Sequence, residues 1–151
     1  MNLSNCKRQG GITLLELMIV VAIVAMISAF AYPSYMNYVV NTKRTAATTT
    51  LLRIADRQQQ FFMDNKRYAT TLTDLGYSAN PVWVADNGNT VPAGDPDAVY
   101  AFGMANITAT QYLAFAAPIG QQLKRDTKCG AMTIDQAGSR QAYGTKPEDC
   151  W

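Results

Sequence analysis

Histidine is absent from this chain of 151 residues. Histidine is the side chain that most often serves as a general base near neutral pH, and it is also the commonest metal ligand. Its absence excludes a serine-histidine-aspartate triad and a zinc site of paired cysteines and histidines. The sequence also lacks a glycine-rich phosphate-binding motif, and no spacing of its carboxylates singles out a catalytic pair. We therefore predict a protein that is not an enzyme and that holds no metal ion or cofactor.

Charged residues are also few, at 16% of the chain, and they sum to a formal net charge of +2. The excess lies entirely in the first eleven residues, which contain Lys7 and Arg8 and no acidic residue. Without these two, the thirteen basic residues become eleven, equal to the eleven acidic ones. The overall charge is therefore no argument for binding to nucleic acid.

One apolar stretch of 21 residues, Ile12 to Tyr32, dominates the N-terminal part and contains a single charged residue, Glu16. As a helix it would be roughly 31 Å long, close to the ~30 Å hydrocarbon core of a bilayer. Because Lys7 and Arg8 precede it, its N-terminal end should stay cytoplasmic and the residues after it should be translocated. The stretch predicts one membrane-spanning helix.

Two simpler interpretations of this stretch remain open. It could be a plain signal anchor, or a secretory signal peptide, because residues 28–31 (Ser-Ala-Phe-Ala) contain the small residues that signal peptidase prefers. Glu16 argues against both, because a carboxylate inside an apolar run is costly and intramembrane ionisable groups usually have a partner.

Residues 7–20, KRQGGITLLELMIV, resemble the class III signal of type IV prepilins and related pseudopilins. The resemblance implies a leader peptide, residues 1–11, that prepilin peptidase removes by cutting after Gly11. The mature chain would begin at Ile12, which the same enzyme would methylate. Isoleucine departs from the family pattern here, because the first mature residue is most often phenylalanine.

The same resemblance assigns roles to Glu16 and Pro33. Glu16 stands at the family's glutamate, so in a filament it would pair with the N-terminal amine of a neighbouring subunit's Ile12. That pairing compensates two charges that are each costly in apolar surroundings. Pro33 stands at the family's helix-kinking proline, and proline also lacks the amide hydrogen of a helix interior.

Helical periodicity continues after Pro33. Apolar residues recur on one face: Val40, Ala47, Leu51, Ile54 and Phe61. The pattern predicts one long helix from about Ile12 to Met63, with a core-facing stripe in its second half.

Residues 66–98 are predicted to form an irregular connection. Within it, residues 67–77, RYATTLTDLGY, resemble the stretch that follows the long helix in many pilins, and residues 87–88 and 94–96 have turn chemistry. Asp86, Asp95 and Asp97 could be calcium ligands, as in some pseudopilins, but their spacing fits no defined calcium loop and favours solvated turns.

Four short segments after this connection have strand character: residues 99–104, 111–116, 131–135 and 139–143. They predict two hairpins and a four-stranded antiparallel sheet on the second half of the long helix. The fold class is therefore α+β, with a transmembrane helix at residues 12–33 and a globular domain at residues 34–151.

Three cysteines stand at positions 6, 129 and 150, and removal of the leader would take away Cys6. The segment from Cys129-Gly130 through Gly144 to Cys150-Trp151 resembles the disulfide-bounded C-terminal region of type IV pilins, most closely in minor pilins that cap or prime the fibre. The resemblance implies a structural disulfide between Cys129 and Cys150. A redox-active pair would have the close Cys-x-x-Cys spacing, which is missing.

The resemblance implies a minor pilin of a type IV pilus, incorporated into the filament or priming it, in support of adhesion and twitching motility. Its partners would be other pilin subunits, prepilin peptidase and the inner-membrane assembly machinery. Before assembly it would be a single-pass inner-membrane protein with a periplasmic C-terminal domain, and afterwards part of the cell-surface pilus.

A DNA-binding minor pilin, acting as a receptor in natural DNA uptake, is the alternative. Five basic residues lie in the C-terminal third: Lys124, Arg125, Lys128, Arg140 and Lys146. Four acidic residues are mixed with them: Asp126, Asp135, Glu148 and Asp149. This mixture favours an ordinary solvated face over a DNA-binding one.

Overall fold

The structure, a computed structural model, describes residues 13–151. The leader peptide, Cys6 and the predicted processing residues Gly11 and Ile12 lie outside the described residues. The chain divides into two compact units, one ending at Tyr38 and the other comprising Val39–Trp151. The predicted domain boundaries at residues 11 and 33 stay predictions.

The first unit consists of the beginning of helix α1, which runs from Leu14 to Asn65. Thr13 caps this helix, because its hydroxyl accepts a hydrogen bond from the backbone N–H of Glu16 at 3.2 Å. The helix continues through Pro33, and a kink there stays a prediction. By length and composition, α1 could cross a membrane.

In the second unit, the predicted stripe of α1 is confirmed. Val40, Ala47, Leu51 and Ile54 are buried, and Phe61 packs against the core. Each fully buried leucine or isoleucine side chain contributes about 2 kcal/mol of transfer free energy. The stripe therefore attaches the helix to the sheet.

Gln58 lies on the same stripe and is completely buried. Its amide nitrogen donates to the carbonyl oxygen of Ala69 at 3.0 Å, and its amide oxygen accepts from the Ala69 N–H at 2.9 Å. This pair of hydrogen bonds satisfies a buried amide and fastens the chain that follows the helix.

The sheet has six antiparallel strands, so the prediction of four was wrong. The strands are β1 (Val82–Ala85), β2 (Thr90–Val91), β3 (Ala98–Ala105), β4 (Leu113–Pro118), β5 (Met132–Asp135) and β6 (Arg140–Ala142). Their order across the sheet is β2-β1-β3-β4-β5-β6. The β3–β4 and β5–β6 hairpins confirm the two predicted ones. The α+β class is also confirmed.

The prediction for residues 66–98 failed because this segment supplies β1 and β2. The turn at Asn87-Gly88 joins them: Gly88 has a φ of 82° and its N–H donates to the Ala85 carbonyl at 3.0 Å. β1 pairs with β3 along its whole length, whereas β2 has only two residues. Strands this short depend on pairing with a neighbour, which local sequence does not encode.

Within residues 13–151, three short helical elements complete the fold: α2 (Gly120–Arg125) and single 3₁₀ turns at Thr73–Leu75 and Pro147–Asp149. One face of the sheet packs on α1 with Tyr100, Phe102, Ala116 and Met132 in the core. Helix α2 connects β4 to the segment before β5, and it carries the first two of the clustered basic residues.

Candidate functional site

Glu16 lies exposed in the first turn of α1. With Thr13 it forms the Thr-x-x-Glu pattern of a capping box. This local role was not predicted, although the spacing of the two residues is visible in the sequence. A carboxylate at a helix N-terminus is also favoured by the helix dipole. Its pairing with a neighbour's amine stays a prediction.

The part of α1 in the first unit exposes large apolar side chains. More than half of the surface of each remains accessible in Leu14, Leu15, Leu17, Met18, Ile19, Val20, Val21, Ile23, Val24, Met26, Ile27 and Phe30. An apolar surface of this extent needs a bilayer or another protein to cover it.

In the second unit, Asp126 forms a buried ion pair with Arg44 of α1. The Asp126 side chain is fully buried and that of Arg44 is 11% exposed. The guanidinium binds the carboxylate through two nitrogens: Nε lies 3.1 Å from Oδ2, and Nη2 pairs with Oδ1. Fork-like contacts of this kind are among the strongest hydrogen bonds in proteins.

Two more side chains complete the surroundings of Asp126. The Tyr100 hydroxyl donates to Asp126 Oδ2 at 2.8 Å. Gln122 Nε2 lies within hydrogen-bond distance of Asp126 Oδ2 at 3.3 Å, of the Tyr100 hydroxyl at 3.1 Å and of the Val40 carbonyl at 3.3 Å. Burial raises the pKa of the Tyr100 phenol well above its ordinary value, and the negative charge of Asp126 raises it further. Tyr100 therefore stays protonated and serves as a donor.

This network changes the charge balance at the surface, because Asp126 is neutralised internally by a residue from α1. We name the five exposed basic residues the basic strip: Lys124, Arg125, Lys128, Arg140 and Lys146. Residues 120–151 contain these five basic residues and four acidic ones. Because Asp126 is buried and paired with Arg44, three acidic residues are left to offset the basic strip. The mixture of charges that argued against a DNA-binding face is therefore weaker in the fold than in the sequence.

The backbone places four of the five members of the basic strip near one another. Lys124 and Arg125 lie in the last turn of α2, and Lys128 follows three residues after Arg125. The N–H of Lys146 donates to the carbonyl of Lys128 at 2.9 Å, so these two residues are neighbours. Arg140 lies at the start of β6 with its guanidinium carbon 5.5 Å from the centre of the Trp151 ring.

The three remaining acidic residues differ in their surroundings. Asp135 Oδ1 accepts the backbone N–H groups of Ala137 and Ser139, both at 2.9 Å, so this carboxylate stabilises the β5–β6 turn. Glu148 and Asp149 are exposed in the last 3₁₀ turn. Within residues 13–151, Lys124, Lys128, Arg140 and Lys146 make no ion pair with an acidic side chain.

The disulfide between Cys129 and Cys150 is present, which confirms that prediction. Its Cα atoms are 5.6 Å apart, and both cysteines are buried. The bond encloses Arg140 and Lys146 in one loop, directly after Lys128. A closed loop of this size contributes roughly 3 kcal/mol in the chain-entropy model.

The aspartates considered as calcium ligands have other partners. Asp86 lies 3.9 Å from the Lys43 ammonium group, and Asp95 Oδ1 accepts the backbone N–H of Asp97 at 2.9 Å. In the part of the chain that the structure describes, no group of three acidic or cysteine residues is placed to hold a metal ion.

Two families match this sequence. Residues 6–32 match the prokaryotic N-terminal methylation motif. Residues 33–133, about two thirds of the chain, match the family described as type IV minor pilin ComP, DNA uptake sequence receptor. The chain belongs to this type IV minor pilin family. The predicted pilin membership is thereby confirmed.

The minor pilin is also similar to individual pilins and fimbrial proteins. The type IV major pilin protein PilA of Myxococcus xanthus is 35% identical over 71 residues, which are 47% of this chain and 32% of that protein. A fimbrial protein of Pseudomonas aeruginosa is 32% identical over 78 residues, 48% and 51% of the two chains. The minor pilin thus spans about a third to a half of the length of these relatives.

A longer similarity links the minor pilin to a fimbrial protein of Moraxella nonliquefaciens, which is 28% identical over 140 residues, 87% of this chain and 88% of that protein. Among solved structures, a type IV pilin from Shewanella oneidensis has a TM-score of 0.48 and 17% sequence identity, and covers 74% of this chain and 97% of that one.

Proposed function

We propose that this minor pilin is a non-enzymatic structural subunit of a type IV pilus and that its second unit binds DNA during DNA uptake. Prepilin peptidase would cut after Gly11, and Ile12 would be methylated. Before assembly the chain would sit in the inner membrane with its C-terminal unit in the periplasm. Afterwards it would stand in the filament among other pilin subunits, at the cell surface.

The filament role rests on the match of residues 6–32 to the methylation motif and on the exposed apolar surface of α1. Those side chains need a bilayer before assembly and other helices after it. Glu16 would then pair with the terminal amine of a neighbouring subunit. Removing one member of such a pair strands the other charge in apolar surroundings.

We expect Glu16→Ala to reach the membrane and to be processed to a chain that begins at Ile12, because it removes a costly charge from the apolar run. Its amount in sheared pili should nevertheless fall by about tenfold or more, since the neighbour's amine loses its partner. Quantitative immunoblots of the membrane and sheared fractions measure the distribution, and mass spectrometry defines the N-terminus.

Two matched variants separate docking from helix capping. Glu16→Gln keeps a side chain that suits the capping box but removes the charge, so it should behave like Glu16→Ala. Thr13→Ala removes the capping hydroxyl and keeps the charge, so it should enter pili. Normal incorporation of Glu16→Gln would refute the docking role.

The DNA-binding role rests on one observation above all: Asp126 is withdrawn from the surface by Arg44, which leaves the basic strip with fewer acidic neighbours. DNA affinity depends on basic residues that neutralise phosphates and release counterions. The description of the matching family, a DNA uptake sequence receptor, supports the same role. Lys124, Arg125 and Lys128 lie inside the matched residues, whereas Arg140 and Lys146 follow them.

A gel-shift titration of the full chain in neutral detergent, with a short duplex at low and moderate salt, tests this role. The parent should bind, with an affinity that falls as salt rises. Lys128→Gln/Lys146→Gln should weaken binding and reduce the salt slope by about two, one for each phosphate contact removed.

The control is Lys66→Gln/Arg67→Gln, which removes the same charge from exposed residues just after α1. It should bind almost like the parent. Equal losses in both double variants would show that the basic strip is not the site, and a parent without salt-dependent binding would refute the DNA role itself.

A further inference from the structure

Tyr143 is a large aromatic side chain that is 62% exposed beside the basic strip. It directly follows β6, in which Ala142 packs against the core. Because successive side chains of a strand point to opposite faces, Gln141 and Tyr143 lie on the face away from α1. The Tyr143 hydroxyl donates to Gln141 Oε1 at 3.0 Å.

Backbone contacts place Tyr143 next to Lys128 and Lys146. The Tyr143 N–H donates to the carbonyls of Cys129 at 3.1 Å and Ala131 at 2.9 Å. The next residue, Gly144, is pressed against the backbone of Lys128. Lys146 follows two residues later and is hydrogen-bonded to Lys128. The ring therefore stands within a few residues of two exposed cations.

An exposed ring in this position can contribute a kind of contact that the lysines cannot. Lysines bind phosphates, and their contribution to affinity falls with salt because it depends on counterion release. A tyrosine ring contributes apolar contact, which needs no counterion release and loses little side-chain entropy because few torsions are fixed. Its hydroxyl already has a partner within the same strand segment, so the accessible part is the ring.

We propose that Tyr143 packs its ring against the sugars of duplex DNA held by the basic strip. This inference rests on the proposed DNA-binding function and assigns it a second, salt-independent component. The lysines supply attraction to the phosphates, and the ring supplies contact that persists when salt weakens that attraction. Tyr143 is thus a binding residue of a different kind from Lys128 and Lys146 beside it.

The test measures fluorescence anisotropy of a labelled duplex with the full chain in neutral detergent over a series of salt concentrations. Tyr143→Ala should lower affinity on the order of tenfold at every salt concentration, as expected for loss of a buried aromatic contact. The slope of affinity against salt should match that of the parent. Lys128→Gln/Lys146→Gln should reduce the slope as well as the affinity.

Two controls accompany it. Tyr143→Phe keeps the ring and should bind like the parent. Met63→Ala truncates an equally exposed side chain on α1, 63% exposed, and should also bind like the parent. The unfolding midpoint of each variant shows that the second unit remains folded.

The outcomes separate the two proposals. If the parent shows no salt-dependent binding, the DNA function fails and this inference fails with it. If the parent binds and the double lysine variant loses slope while Tyr143→Ala binds like the parent, only the role of Tyr143 is overturned. A Tyr143→Ala variant with a reduced slope, or a Tyr143→Phe variant as weak as Tyr143→Ala, would also overturn it, because the ring would not be the contact.

Discussion

Arg44→Met should lower the free energy of unfolding of the Val39–Trp151 unit by about 3–5 kcal/mol, because it leaves the carboxylate of Asp126 buried without its cation. Asp126 is fully buried and cannot reach water without local unfolding. The Tyr100 and Gln122 hydrogen bonds would remain, but neutral donors compensate a buried charge only in part. Methionine keeps most of the packing volume, so the loss reports the charge.

Denaturant unfolding of the full chain in detergent, followed by the fluorescence of Trp83 and Trp151, measures this loss. Arg53→Met is the matched control, since Arg53 lies exposed on the same helix and should change stability by no more than about 0.5 kcal/mol. Arg44→Met/Asp126→Asn removes both charges and should recover a large part of the loss. Equal stabilities of Arg44→Met and Arg53→Met would contradict the importance of the buried pair.

Gly144→Ala should destabilise the same unit by about 3 kcal/mol, at the upper end of the range for overpacking. A Cβ atom at Gly144 would overlap the carbonyl group of Lys128, which belongs to the backbone and cannot rotate away. The tail would have to move off the segment before β5. The hydrogen bonds from Thr145 to Thr127 and from Lys146 to Lys128 would be lost with it.

Gly103→Ala is the matched comparison. Its added Cβ would overlap the ring of Phe115, but that ring is only half-buried and can shift. We expect this variant to lose clearly less stability than Gly144→Ala in the same denaturant titration. Thiol labelling under denaturing conditions should also find a larger fraction of reduced Cys129 and Cys150 in Gly144→Ala. Indistinguishable midpoints for the two variants would argue against the tight backbone contact.

The amino-acid sequence by itself determined the features that depend on neighbours along the chain. The spacing of Val40, Ala47, Leu51 and Ile54 predicted the buried stripe, because the period of a helix is a local property. Gln58, four residues after Ile54, has the same spacing, but its burial was not predicted because its side chain is polar. The two C-terminal hairpins were predicted for the same reason, since each joins strands that are close in sequence.

The tertiary structure alone decided which distant residues meet. Arg44 and Asp126 are 82 residues apart, and a count of charges cannot tell which carboxylate is buried and neutralised from across the fold. Strand β1 likewise depends on pairing with β3, and β2 depends on pairing with β1. Both strands carry weak local signals. The basic strip and the surroundings of Tyr143 depend on these long-range contacts, because packing decides which side chains are buried and which remain at the surface. Local periodicity determines elements, whereas long-range packing and ion pairing determine what those elements present to a partner.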